Sequence, residues 1–293
     1  MLQGFFGDRF RNGGWMVSLG LCLVGSPAEA QICSRLITGG PTCGGCSIER
    51  KLVTTIHDTT FEGGAIGDGG AKPHVNSDGS FIVITGPSPF NMELYFAYPD
   101  GALEDRIGRS GEGPGEYRRP MFVMESESDF LIVDMGLGRI IYLSKPTLAP
   151  VRTARIPGVP SGAEPVAFPD GSYVMWASIR TRRSAGYGLH HVSMDGTVLN
   201  SFGPPPGSGS PDLAASGDSA VWIGYDDYRL ERWSLDGELL DVLLRKADWV
   251  RPRGDAPEEG EDYSFLSGFS EDRVGRLWVL TVRSRYGSIP TRV

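Results

Sequence analysis

The sequence lacks the surplus of basic residues that a nucleic-acid groove requires. Lys and Arg total 28 against 36 Asp and Glu, giving a net charge of −8 and a pI near 5.1. That balance argues against nucleic acid as a partner. It also lacks any apolar run approaching the roughly 20 residues that a membrane-spanning helix needs. No stretch sustains a 3.6-residue apolar period for more than about two turns, and Lys246 to Pro252 makes at most a short helix. Gly-x-Ser-x-Gly and His-Glu-x-x-His are both absent, and no pair of carboxylates stands out by its spacing. Hydrolase and zinc-peptidase signatures are therefore missing.

What is abundant is turn chemistry. The chain has 41 Gly and 21 Pro, with 40% hydrophobic and 22% charged residues, a globular composition favouring many turns over long helices. Residues 1–30 read as a signal peptide. Arg9 and Arg11 give a positive n-region, Trp15 to Gly25 an apolar h-region too short to span a bilayer, and Ala28-Glu29-Ala30 a cleavage box. Leu21 before Cys22 does not fit a lipoprotein context. The expected mature protein, residues 31–293, is one β-domain, secreted or periplasmic and not membrane-spanning.

Export makes a disulfide the default reading of cysteines. Cys43 and Cys46 are close enough to pair across Gly44 and Gly45, leaving Cys33 free or paired with either. A redox role would want the first cysteine at a helix N-terminus, whereas this motif runs into the strand-like KLVTTI. A zinc site joining the three cysteines to His57 would have to close across that same strand.

A repeat organises the rest. Five strand-length runs rich in β-formers begin at Gly79 (GSFIVIT), Ser128 (SDFLIVD), Gly171 (GSYVMWA), Ser219 (SAVWIGY) and Gly275 (GRLWVLT). Most are entered through polar turns such as Ser77-Asp78-Gly79 and Pro169-Asp170-Gly171. A second run and a second turn follow each of the first four: Asp100-Gly101, Lys145-Pro146, Asp195-Gly196 and Asp236-Gly237. Asp-Gly between β-rich runs is a strong hairpin signal. Adding one outer strand gives a four-stranded antiparallel sheet roughly every 45 residues, which is the blade of a β-propeller. A β-sandwich has no reason for that period. The sequence therefore predicts an all-β propeller.

RIGRSGEGPGEYRRP (Arg106 to Pro120) links two such units. A phosphate loop needs free N–H groups at a helix N-terminus. Pro114 removes one donor, Glu112 and Glu116 repel an anion, and no helix follows, so the segment reads as a blade connector. SFGPPPGSGSPDL, from Ser201, is a second such link.

The run Ile107, Gly108, Gly111, Gly113, Pro114, Gly115, Glu116 and Tyr117 resembles the signature loop of exported bacterial six-bladed β-propellers related to NHL-repeat proteins. The upstream Cys43-x-x-Cys46 segment resembles them too. The resemblance covers most of the mature chain and implies fold and location, with no catalytic set to transfer. It departs in blade number: after Phe81 there are four complete units and the start of a fifth. A six-bladed type truncated at the C-terminus, with only four to five blades present, is expected, and Arg50 to Asp58 is the candidate closing strand.

Candidate chemistry is sparse. Asp226 and Asp227, or Asp134 at the end of DFLIVD, are placed to bind Ca²⁺ along a channel, as in propeller lactonases, or to serve as turn acids. His190 and His191 share a strand and point to opposite faces. Arg180 to Gly188 is a basic, solvated loop suited to an anion or a partner. The reading adopted is an extracytoplasmic, non-catalytic binding or scaffold protein without cofactor. Its unknown protein or small-molecule ligand sits at the channel mouth or on a loop face. The alternative is a Ca²⁺-dependent propeller hydrolase, lactonase or lyase.

Overall fold

The β-rich runs all become the same element, the second strand of a sheet. The structure is a computed structural model describing residues 3–5, 20–21, 34–38, 54, 71–88, 91–160, 163–206, 211–225, 228–246 and 262–285. Blade I is Ala71–Val75, Phe81–Ser88, Asn91–Ala97 and Leu103–Ile107; blade II is Pro120–Glu125, Asp129–Asp134, Arg139–Ser144 and Pro150–Arg155. In blade III the strands are Val166–Ala167, Tyr173–Ser178, Leu189–Val192 and Val198–Phe202, and in blade IV they are Asp212–Ser216, Ala220–Gly224, Arg229–Ser234 and Leu239–Lys246. Each blade pairs its strands antiparallel in chain order. Asp262–Glu271 and Leu277–Arg285 form the hairpin of a fifth unit. The fold is an all-β propeller with four four-stranded blades.

The fourth strand of each unit stands elsewhere than the repeat reading placed it. It precedes the first turn and is innermost, whereas an added outer strand was expected. These inner strands are short and polar (AKPHV, DLAAS) because their exposed edge meets the solvent of the axis, so their β signal is weak. The expected closing strand, Arg50 to Asp58, lies outside the described residues apart from Thr54. Ser34–Thr38 instead pairs parallel with Leu239–Lys246 on the outer edge of blade IV. Gln3–Phe5 and Gly20–Leu21 pair with Leu277–Arg285 and Ser34–Thr38.

Second strands are continuously apolar because both of their faces are covered. In blade II, Phe130 and Ile132 pack with Ile82, Leu94 and Tyr117 of the blade I side, whereas Leu131 and Val133 pack with Tyr173 and Met175 of blade III. Val174 and Trp176 meet Val221 and Ile223 of blade IV, and Trp222 meets Leu266 and Phe269 of the fifth unit. Each interface fills by the same alternation.

The turns repeat as closely as the strands. Gly79, Gly171 and Gly275 each adopt φ between +77° and +86° and donate their N–H to Asn76, Phe168 and Asp272, at 2.9 Å in every case. That left-handed conformation favours glycine. A bulge recurs where the third strand nears the fourth: at Phe96/Ala97, Tyr142/Leu143, His191/Val192 and Arg232/Trp233. Polar bonds also join blades. Glu125 on the inner strand of blade II accepts from Ser77 N (2.9 Å) and Oγ (2.6 Å) in the first turn of blade I.

Leu131→Ala opens a hole between blades II and III at a site with 0% exposure. A loss of about 2–5 kcal/mol is expected in urea unfolding monitored by circular dichroism.

Candidate functional site

The inner strands line an open cavity on the axis. Its ≈ 440 Å³ is bounded by residues of all four blades and of the fifth unit, a size suited to a small molecule. Val123, Met124 and Phe269 give it apolar walls, while His74, Glu125, Glu164 and Asp212 supply polar groups. The Lys72 ammonium stands 5.7 Å from the Phe122 ring centroid.

Glu164 arrives there because blade III breaks the pattern. Its inner strand pairs with Tyr173–Ser178 in two pieces: Val159 and Pro160 face Ser178 and Ala177, then pairing resumes with Val166 opposite Val174. Residues 163–165 stand outside the ladder, and Glu164 borders the cavity. Such interruptions re-aim side chains and concentrate next to active sites. Glu164 is exposed at the cavity wall, and partial loss of hydration there raises its pKa; nearby Lys72 opposes that rise and Asp212 adds to it.

His74 is poised differently. Its Nε2 is buried without a protein partner. Burial lowers its pKa, and the Glu125 carboxylate only partly offsets this. Burial alone would raise the pKa of Glu125. Hydrogen bonds from Lys145 Nζ (2.8 Å) and from Ser77 outweigh that and hold it below the usual range. Among the described residues, no three His, Cys, Asp or Glu side chains are arranged to hold a metal ion.

The antiparallel order of each blade puts first-to-second and third-to-fourth turns at one end, and the longer loops and blade connectors at the other. The connector from blade I to blade II folds around Glu116. Its carboxylate accepts from Gly113 N and Arg109 Nε, both at 2.7 Å. The Gly113 amide, then Arg109, lowers its pKa. A Cβ at Gly111 would lie 2.1 Å from Glu116 Oε2, so a side chain there would push that carboxylate off its partners. Arg139 of blade II grips the same loop through the carbonyls of Glu112, Gly113 and Glu116 at 2.8–3.2 Å. Tyr117, 1% exposed, plugs the interface of blades I and II. Gly108 and Gly115 both take positive φ beside this ring and Pro150, and Pro114 lies at the tip between Gly113 and Gly115.

Asp134 is fully buried, and its carboxylate accepts the backbone N–H groups of Arg118, Arg119, Gly136 and Leu137 at 2.9–3.3 Å. It ties the connector to the next loop of blade II. Asp226, Asp227, Cys43 and Cys46 lie outside the described residues, as do Cys33 and His57. His190 is 0% exposed, with Nδ1 2.9 Å from Ser201 Oγ and Nε2 3.1 Å from Ala177 O. His191 Nε2 lies 3.0 Å from Ser172 Oγ, beside Phe168. Sequence reasoning missed His74, Asp212 and Lys72, on the weakly patterned inner strands, and Glu164, in the break of one of them. The usable signal was position: each lies on the segment just upstream of a β-rich run.

No protein-family model matches the chain, and no curated protein matches it. Among solved structures, a "Putative exported protein" of Bacteroides fragilis aligns with a TM-score of 0.46 and 14% identity. That alignment covers 61% of this chain and 51% of that one. Hsv2 of Kluyveromyces marxianus aligns with a TM-score of 0.42 and 12% identity, over 70% of this chain and 57% of that one. The chain thus spans only about half the length of either structure. Likeness at this level bears on neither activity nor ligand.

Two outcomes are expected. Asp134→Ala removes four part-buried backbone hydrogen bonds and lowers stability by about 2–4 kcal/mol in chemical denaturation. His74, His190 and His191 all have pKa values lowered by burial from the ordinary 6.5. The unfolded chain therefore binds more protons below that value, and stability falls as pH drops through it. The midpoint of thermal unfolding should decrease between pH 7.5 and 5.5, before the lowered carboxylates titrate; an unchanged midpoint contradicts the assignment.

Proposed function

We propose that this protein is an extracytoplasmic, non-catalytic propeller that binds a small polar molecule in its axial cavity. The observation that carries the reading is the break in the inner strand of blade III, which places Glu164 in the cavity against the electrostatic influence of Lys72 and Asp212. A repeat that departs from its own rule at a cavity wall is where function is expected. Carboxylates and His74 among apolar walls, with the Lys72 charge felt at Glu164, suit a ligand bearing both hydrogen-bonding and charged groups.

The exported, NHL-like six-bladed type is proposed on sequence grounds. The Gly108–Tyr117 connector and the Ala30 cleavage box support it. Cleavage after Ala30 would remove Gln3–Phe5 and Gly20–Leu21, neither of which belongs to a four-stranded blade.

The test is thermal-shift screening of the mature protein against amino acids, sugars and dicarboxylates, with and without CaCl₂ and EGTA. A stabilising ligand is expected, insensitive to calcium. Glu164→Gln should weaken it about tenfold or more, as loss of a charged hydrogen bond does, without lowering the unliganded midpoint. A screen with no stabilising compound, or calcium-dependent lactone hydrolysis by the same protein, overturns the proposal.

A further inference from the structure

Blade III departs from its neighbours a second time, at the loop from its second to its third strand. In blade II that connection is residues 135–138; in blade III it is residues 179–188. The longer loop is nevertheless well anchored. Ile179 and Ser184 are each 4% exposed. Ser184 N and Ala185 N donate to Thr181 O at 3.2 and 2.8 Å. Gly188 accepts from Ala177 N at 2.9 Å and donates to Pro204 O at 2.8 Å.

From this frame Arg180, Arg182 and Arg183 all project as exposed residues, with Tyr187 43% exposed beside them. Among the described residues, none of these three guanidinium groups has a hydrogen-bond or ion-pair partner. Several other arginines are paired: Arg109 with Glu116, Arg118 with Glu112, Arg229 with Glu231 and Arg276 with Asp272. Three like charges within four positions repel one another.

We infer that this loop docks an acidic segment of a partner protein. Guanidinium forks match carboxylates bidentately, and Arg with Tyr is the composition of interface anchors. The anchored turn reduces the ordering cost of association. A peptide can meet this loop alone, whereas a membrane surface would confront the rest of a −8 protein, and the loop has fewer cations than lipid-binding clusters carry. The inference is independent of the axial cavity.

The test uses fluorescein-labelled poly-L-glutamate and the mature protein in an anisotropy titration at low salt. Binding is expected, weakened by at least about tenfold in R180Q/R182Q/R183Q. A control, R155Q/R273Q, removes two other exposed arginines that have no partner among the described residues; it should change affinity less than about twofold. Tyr187→Ala should weaken binding several-fold at unchanged charge, which separates docking from a general field effect. Three results overturn the inference: no binding by the parent protein, equal losses in the triple variant and the control, or loop-dependent binding to phosphatidylglycerol vesicles without binding to poly-glutamate.

Discussion

Every blade depends on burying both faces of its second strand at once. Leu131 and Ile132 are adjacent in sequence, both are 0% exposed, and they belong to different inter-blade interfaces. A single sheet of this kind cannot cover itself. The stable unit is therefore a stack, and its stability is the sum of the contacts between neighbours rather than a property of any one blade. The polar ties follow the same rule: Glu125 belongs to blade II but receives a blade I turn, and Arg139 of blade II holds the connector arriving from blade I.

Against that regularity, blade III stands apart twice. Its inner strand is interrupted on the axis, and its second-to-third loop is extended at the rim. The two departures use opposite chemistry. The first brings a carboxylate inward under the influence of a cation, and the second sends outward cations that pair with no carboxylate among the described residues. Blade III, framed by conforming blades on either side, can vary at both ends because its buried core, Tyr173 to Ala177 with Leu189 and Val192, keeps the common packing.

The sequence displayed the repeat through its most constrained parts. FLIVD and YVMWA are apolar without alternation because both faces are buried, and the turn glycines are legible because positive φ admits few alternatives. The connector around Glu116 was legible as a structural loop from Pro114 and its acids. Inner strands escaped notice because contact with solvent at the axis dilutes their pattern. AKPHV has a proline and two polar residues, and Val166–Ala167 is too short to carry a period. Most of the cavity residues belong to just those strands, and Glu164 to the break in one of them. Asp134 was noticed as an acid at a strand end, but only the geometry reveals four amides converging on it.

The parallel pairing of Ser34–Thr38 with Leu239–Lys246 has a temporal side. Ribosomes make the earlier strand some two hundred residues before its mate, so it must wait while three blades assemble beside it; such distant contacts form slowly. Until the two meet, the LLDVLL rim of blade IV is an open template for any passing strand, including one from another copy. Crowded translation, rather than heat, is then the circumstance under which this molecule is most exposed to self-association.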